Sequence, residues 1–220
     1  MFKKIFLPLG AIVLIFVALG IFPLMQKQFG ESRADEFQKG MHYVTWSKGG
    51  YDTVKSDESI AKMASIGVNW VAVLTTWYQS TCFGTEIMPT EKTPSDKSIV
   101  RAIKAAHDNG MKVMLKPHLD ILDTSYGSWR GEITCAREPD WAIWFASYKN
   151  FMMHYVQIAN ENNVEMFCVG TELTEMTLAK PDMWRSLIED IRKVYKGKLT
   201  YAANWNEEYL NISFWDALDY

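Results

Sequence analysis

Five apolar, β-branched runs recur along this chain, and a helical pattern separates each neighbouring pair. The runs are GMHYVTW (40–46), VNWVAVLTTW (68–77), MKVMLKPHLD (111–120), VEMFCVGTEL (164–173) and KLTYAANW (198–205). After the first, Ser56 and Asp57 can cap a helix through Ile66 that stops at Gly67. Ser95 can cap a second, carrying Ile99, Ile103 and Ala106 and ending at Asn109-Gly110. Asp140 can cap a third, with Trp141, Trp144, Phe145, Tyr148, Met152 and Tyr155 at helical spacing, ending near Asn162-Asn163. Pro181 suits the first turn of a fourth, which bears Trp184, Leu187, Ile188, Ile191 and Tyr195 and stops at Gly197. Parallel strands need long crossovers and antiparallel ones do not, so this alternation predicts an α/β fold with a parallel sheet.

Two closures are open to such a sheet, a doubly wound layer and a (β/α)8 barrel. No G-x-G-x-x-G follows the first run, and no phosphate-binding loop occurs anywhere. Instead Trp46, Trp77, Lys116, His118, Glu172, Asn204 and Trp205 gather at the C-terminal ends of the runs. Barrel enzymes build their sites there, so a (β/α)8 TIM barrel over residues 40–220 is the expectation. A complete barrel takes roughly 250 residues. Five strands are visible, and ISFWDALDY (212–220) reads as a short helix leading into a sixth. The barrel is therefore expected to be incomplete, the N-terminal part of a longer protein.

The N-terminus differs in kind. Lys3 and Lys4 precede an uncharged run, Ile5–Met25, and Lys27 follows. The run is long enough for a membrane-crossing helix, and no A-x-A cleavage pattern precedes Gln26. An uncleaved anchor over residues 1–25 is favoured over a signal peptide, and either places the rest outside the cytoplasm. Residues 26–39, polar and mixed in charge, read as a linker. Formal net charge is −3, and no basic excess points to nucleic acid. Of three cysteines, Cys168 lies inside an apolar run and reads as a buried hydrophobe. Cys82 and Cys135 fall in loops, where export would permit a bridge between them.

The candidate site is rich in aromatics. Flat indole faces suit the C–H faces of sugar rings. Trp46, Trp77, Trp129 and Trp205 are the candidates, whereas Trp70, Trp141, Trp144 and Trp184 sit within runs or on helix faces and suit the core. Glu172 follows Gly170 and Thr171, small residues that leave room for a ligand near the backbone. A carboxyl at a partly buried strand end can serve as general acid and base. Glu175 is assigned to the loop surface, and Glu207 and Glu208 to a solvated segment. His118 and Asp120 alternate onto one face of KPHLD, and His42 could join them around a metal. Lys116 would share that face, which favours hydrogen bonding to a polar ligand over a metal. No cofactor is called for.

LKPHLD, WRGEI, WAIWFASYKNF, VGTEL, YAANW and FWDALDY together resemble glycoside hydrolase family 113, from about Gly40 onward. The resemblance implies a retaining (β/α)8 glycosidase acting on β-1,4-mannan. It implies that Glu172 is the acid/base at the end of the fourth strand, with Lys116, His118, Trp129, Arg130, Asn204 and Trp205 lining sugar subsites. The family's nucleophile, a Glu, sits at the end of a seventh strand and has no counterpart in these five. A barrel that binds saccharide without cleaving it is the competing expectation.

Overall fold

The computed structural model describes residues 37–125 and 128–220. Strands β1 (Gly40–Tyr43), β2 (Trp70–Gln79), β3 (Lys112–Ile121), β4 (Met166–Thr171) and β5 (Lys198–Ala202) form one sheet. All neighbouring pairs are parallel, and spatial order follows chain order from β1 to β5. A doubly wound sheet reverses direction partway across. This one winds a single way, so the α/β layer is built like part of a TIM barrel. Asp219 and Tyr220 already run beside β5: the Asp219 N–H donates to Leu199 C=O at 2.9 Å.

The crossovers carry helices α1 (Val54–Ser65), α2 (Asp96–Asp108), α3 (Glu138–Glu161), α4 (Thr174–Ala179) and α5 (Pro181–Val194). A one-turn helix, α6 (Glu208–Asn211), follows β5. Ser95 caps α2 as expected, its Oγ accepting from Ser98 N–H. The cap of α1 lies three residues before the expected Ser56: Thr53 Oγ1 accepts from Ser56 N–H at 3.1 Å. Asp140 is not a cap either. It lies in the first turn of α3, where Arg137 Nη2 grips its carboxylate at 2.7 Å, and Pro139 marks the start. Gly67 and Gly110 hold φ of +88° and +74° just past α1 and α2, a conformation that terminates a helix at little cost only in glycine. The short α4 was not foreseen.

The core lies between the sheet and these helices. Val71, Val73, Val113, Leu115, Phe167, Val169, Leu199 and Tyr201 face it from the strands. Helix α3 answers with Trp144, Tyr148, Phe151, Met152 and Tyr155, all buried. Their hydroxyls are used as well as their rings. Tyr148 Oη donates to Val169 C=O at 2.9 Å, and Tyr155 Oη accepts from Thr75 Oγ1 and Trp77 Nε1, both at 2.8 Å. Buried phenols without such partners would cost stability. As expected, Trp144 and Trp184 are fully buried.

Cys82, Cys135 and Cys168 are all free thiols, so the bridge that export would permit between Cys82 and Cys135 is absent. The two loops do touch, since Thr134 N–H donates to Cys82 C=O at 3.0 Å. Backbone adjacency does not align the Cβ vectors that a disulfide needs. The anticipated membrane helix, residues 5–25, and linker residues 26–36 lie outside the described residues. Among the described residues no helix is long and apolar enough to cross a membrane.

Candidate active site

The opposite face of the sheet carries polar groups at its C-terminal rim. Alternation along β3 places Lys116, His118 and Asp120 on the face turned away from Leu115 and Leu119. Lys116 is buried and His118 half-buried. Burial, then the charges of Lys116, Arg130 and His42, push the His118 imidazole down to about 3. It is therefore neutral at ordinary pH. Its buried Nε2 has no partner among the described residues. Neither does the buried Nε of Arg130. Unpaired buried polar atoms are uncommon in proteins, and two at one rim suit a ligand that supplies hydroxyls.

Glu172 reaches this rim through two backbone irregularities. Cys168 pairs with Thr200 but Thr171 pairs with Ala202, so β4 spends one more residue than β5 over that interval. That β-bulge returns Thr171 to the Cys168 side, 3.9 Å from its sulfur. Simple alternation would then send Glu172 toward the helices. Its φ of +53° turns it back. A non-glycine residue in that region costs on the order of 1–3 kcal/mol and is concentrated at functional sites.

There Arg130 meets it. Nη1 lies 3.0 Å from Glu172 Oε2, and Nη2 lies 3.2 Å from Asp120 Oδ2. One guanidinium thus joins the loop after β3 to the ends of β3 and β4. Tyr78 on β2 is in the same neighbourhood, its phenol raised by burial and then by Asp120. Trp129, half-buried, folds over Gly131, where a Cβ would come within 2.3 Å of the indole. Trp46 and Trp205 stand at the rim 61% and 89% exposed, available to a ligand.

Five placements differ from expectation. Trp77 turns to the helix layer, its ring tilted against Phe151 at 5.2 Å and its Nε1 bonding Tyr155, and does not face the rim. Asn204 is buried and its Oδ1 accepts from Asn206 N–H at 3.1 Å, so it shapes its own loop. Gly170 leaves room for the core, not for a ligand: a Cβ there would meet Tyr201 at 2.7 Å, Tyr148 at 3.0 Å and Trp184 at 3.1 Å. Glu208, expected in solvent, is fully buried. Asp120, considered only as a metal ligand, is a partner of Arg130. Among the described residues no cluster of three or more His, Cys, Asp and Glu side chains is arranged to hold a metal.

The model of Glycoside Hydrolase Family 113 matches residues 41–220. A solved GH113 beta-1,4-mannanase is 33% identical, with a TM-score of 0.74 over 84% of this chain and 60% of that one. The GH113 beta-mannanase AaManA from Alicyclobacillus acidocaldarius, in complex with ManMIm, is 34% identical, with a TM-score of 0.76 over 83% of this chain and 59% of that one. An endo-1,4-beta-mannanase from Rhizomucor miehei shares the fold alone, at 12% identity and a TM-score of 0.51 over 82% of this chain and 62% of that one. No curated protein matches in sequence. The chain spans about 60% of the length of the GH113 structures it resembles.

Proposed function

We propose a function from one premise: the chain belongs to glycoside hydrolase family 113. The full-length protein is a (β/α)8 glycosidase that hydrolyses β-1,4-mannan with retention. The similar solved proteins are described as β-mannanases, and that substrate is carried to this chain here. Glu172 is the acid/base. It protonates the glycosidic oxygen as the bond breaks and later takes a proton from water. A second carboxylate, about 5–5.5 Å away, must attack the sugar from the other face. By the resemblance it comes from a seventh strand, beyond the five present. Lys116, His118 and Arg130 bond the sugar hydroxyls, while Trp46, Trp129 and Trp205 offer ring faces. Residues 1–25 anchor the protein, 26–39 link, and the barrel from residue 40 works outside the cytoplasm.

The observation that carries this reading is the placement of Glu172. A bulge and a left-handed residue together bring one carboxylate to the rim, among polar atoms that lack partners. Glu172→Gln in the full-length protein keeps the shape and removes the proton. Turnover of mannan is expected to fall by about a hundredfold or more. Turnover within a few-fold of wild type would remove Glu172 from the reaction. One contact favours a second reading, a barrel that binds saccharide without cleaving it. Arg130 already occupies Glu172 Oε2, the kind of pairing a purely structural carboxylate makes. Mannan binding with no reducing ends released would select it.

A further inference from the structure

Glu208 is the most completely buried carboxylate among the described residues, and the chemistry above does not use it. Three donors converge on it. Tyr201 Oη donates to Oε1 at 2.7 Å and Asn204 N–H to Oε2 at 2.5 Å, while the Thr177 hydroxyl, 3.1 Å from Oε1, shares its proton with Thr174 C=O at 3.0 Å. Only acceptor sites are demanded, which suits a carboxylate and not an amide, since an amide brings donors of its own. The donors come from three places: α4, β5 and the loop after β5. A buried carboxyl is tolerated where hydrogen bonds meet it, and this one stitches two rim loops together.

The network reaches the backbone next to Glu172. Tyr201 Oη also accepts from Leu173 N–H at 2.7 Å, the residue next to the acid/base. Burial, and then Glu208, push the Tyr201 phenol far up, so it stays protonated and can donate to Glu208 while it accepts from Leu173. On its other side Glu172 N–H donates to Ala202 C=O at 2.9 Å. The left-handed turn is thus gripped by one backbone bond before Glu172 and one phenol bond after it. Nothing in the chemistry of the turn would hold it unaided, because the conformation is costly for glutamate.

We infer that Tyr201 and Glu208 are positioning residues for Glu172, holding its strained backbone so that its carboxyl meets the glycosidic oxygen. This rests on the assignment of Glu172 as acid/base. Leaving-group dependence separates positioning from simple support of the fold. Mannan needs its leaving oxygen protonated, whereas a dinitrophenolate departs without help.

The experiment uses the full-length enzyme and two substrates, mannan and a dinitrophenyl β-mannobioside, with Glu172→Gln as reference. Tyr201→Phe deletes one hydroxyl and keeps the ring. Its kcat/KM on mannan is expected to fall between about tenfold and a hundredfold, the scale of a displaced catalytic group. On the dinitrophenyl substrate it should fall less than about threefold, following Glu172→Gln in pattern. Equal losses on both substrates, or no loss on either, overturn the inference while leaving Glu172 in place. If Glu172→Gln itself hydrolyses mannan normally, the assignment of Glu172 fails, and the positioning role with it. Glu208→Gln, isosteric but carrying a donor opposite Asn204 N–H, gives the same test should Tyr201→Phe not fold.

Discussion

Acid should destabilise this protein through His118, and the size of the effect can be worked out. The imidazole is pushed from 6.5 to about 3 in the folded chain. A folded value below the unfolded one means the unfolded chain binds the proton first. The stability it contributes is therefore present above 6.5 and drains as pH falls toward about 3. Each pH unit inside that window costs about 1.4 kcal/mol, so lowering the pH from the top of the window to about 5 costs about 2 kcal/mol. His118 is partly open to water, so with solvent screening the loss is on the order of 1 kcal/mol. His118→Gln keeps a polar side chain and takes up no proton. Urea unfolding of both proteins, at about pH 7 and about pH 5, isolates the contribution. Wild type should lose about 1 kcal/mol more than the variant on acidification. Equal losses would refute the reasoning, because His118 would then not be held neutral by its surroundings.

Gly170→Ala should destabilise by about 1–3 kcal/mol in the same urea assay, the range for overpacking a tight core, and an unchanged midpoint would mean that Tyr201 and Trp184 can give way. Trp77→Phe should lower stability through the lost bond to Tyr155, by about 1 kcal/mol, and leave the KM for mannan within about twofold, whereas a large rise in KM would return Trp77 to the sugar site. Cys135, raised to about 11 by burial and then by Asp140 and Glu138, should resist iodoacetamide near neutral pH in the native chain. In denaturant without reductant all three cysteines should alkylate by mass, and any pair that does not would expose a disulfide.

The sheet was legible because its signals are local. Alternation of runs, the Ser95 cap and the stops at Gly67 and Gly110 each lie within a few residues of what they specify. Pro139 is an equally local mark of the start of α3. Which way a strand residue points was less legible. In WVAVLTTW no polar alternation tells the two faces apart, so Trp77 could be placed at a strand end but not on a face. The β4 bulge is invisible in MFCVGT, and it decides the side on which Thr171 and Glu172 emerge. Glu208 failed for another reason. NWNEEYL is polar by composition, and only Tyr201, Thr177 and Asn204, brought together by the fold, make a buried carboxylate tolerable there.

The central claim is that Glu172 supplies acid and base to a retaining cleavage. Replacing it with alanine in the full-length enzyme opens space beside the sugar and removes the base that activates water. Azide is an anion and needs no base, so it can attack the glycosyl-enzyme from the vacated side. Turnover of a dinitrophenyl β-mannobioside by Glu172→Ala, with azide added, should therefore recover by about tenfold or more and yield the β-configured glycosyl azide. No gain with azide, or an α-configured azide, would contradict the account and place Glu172 outside that role.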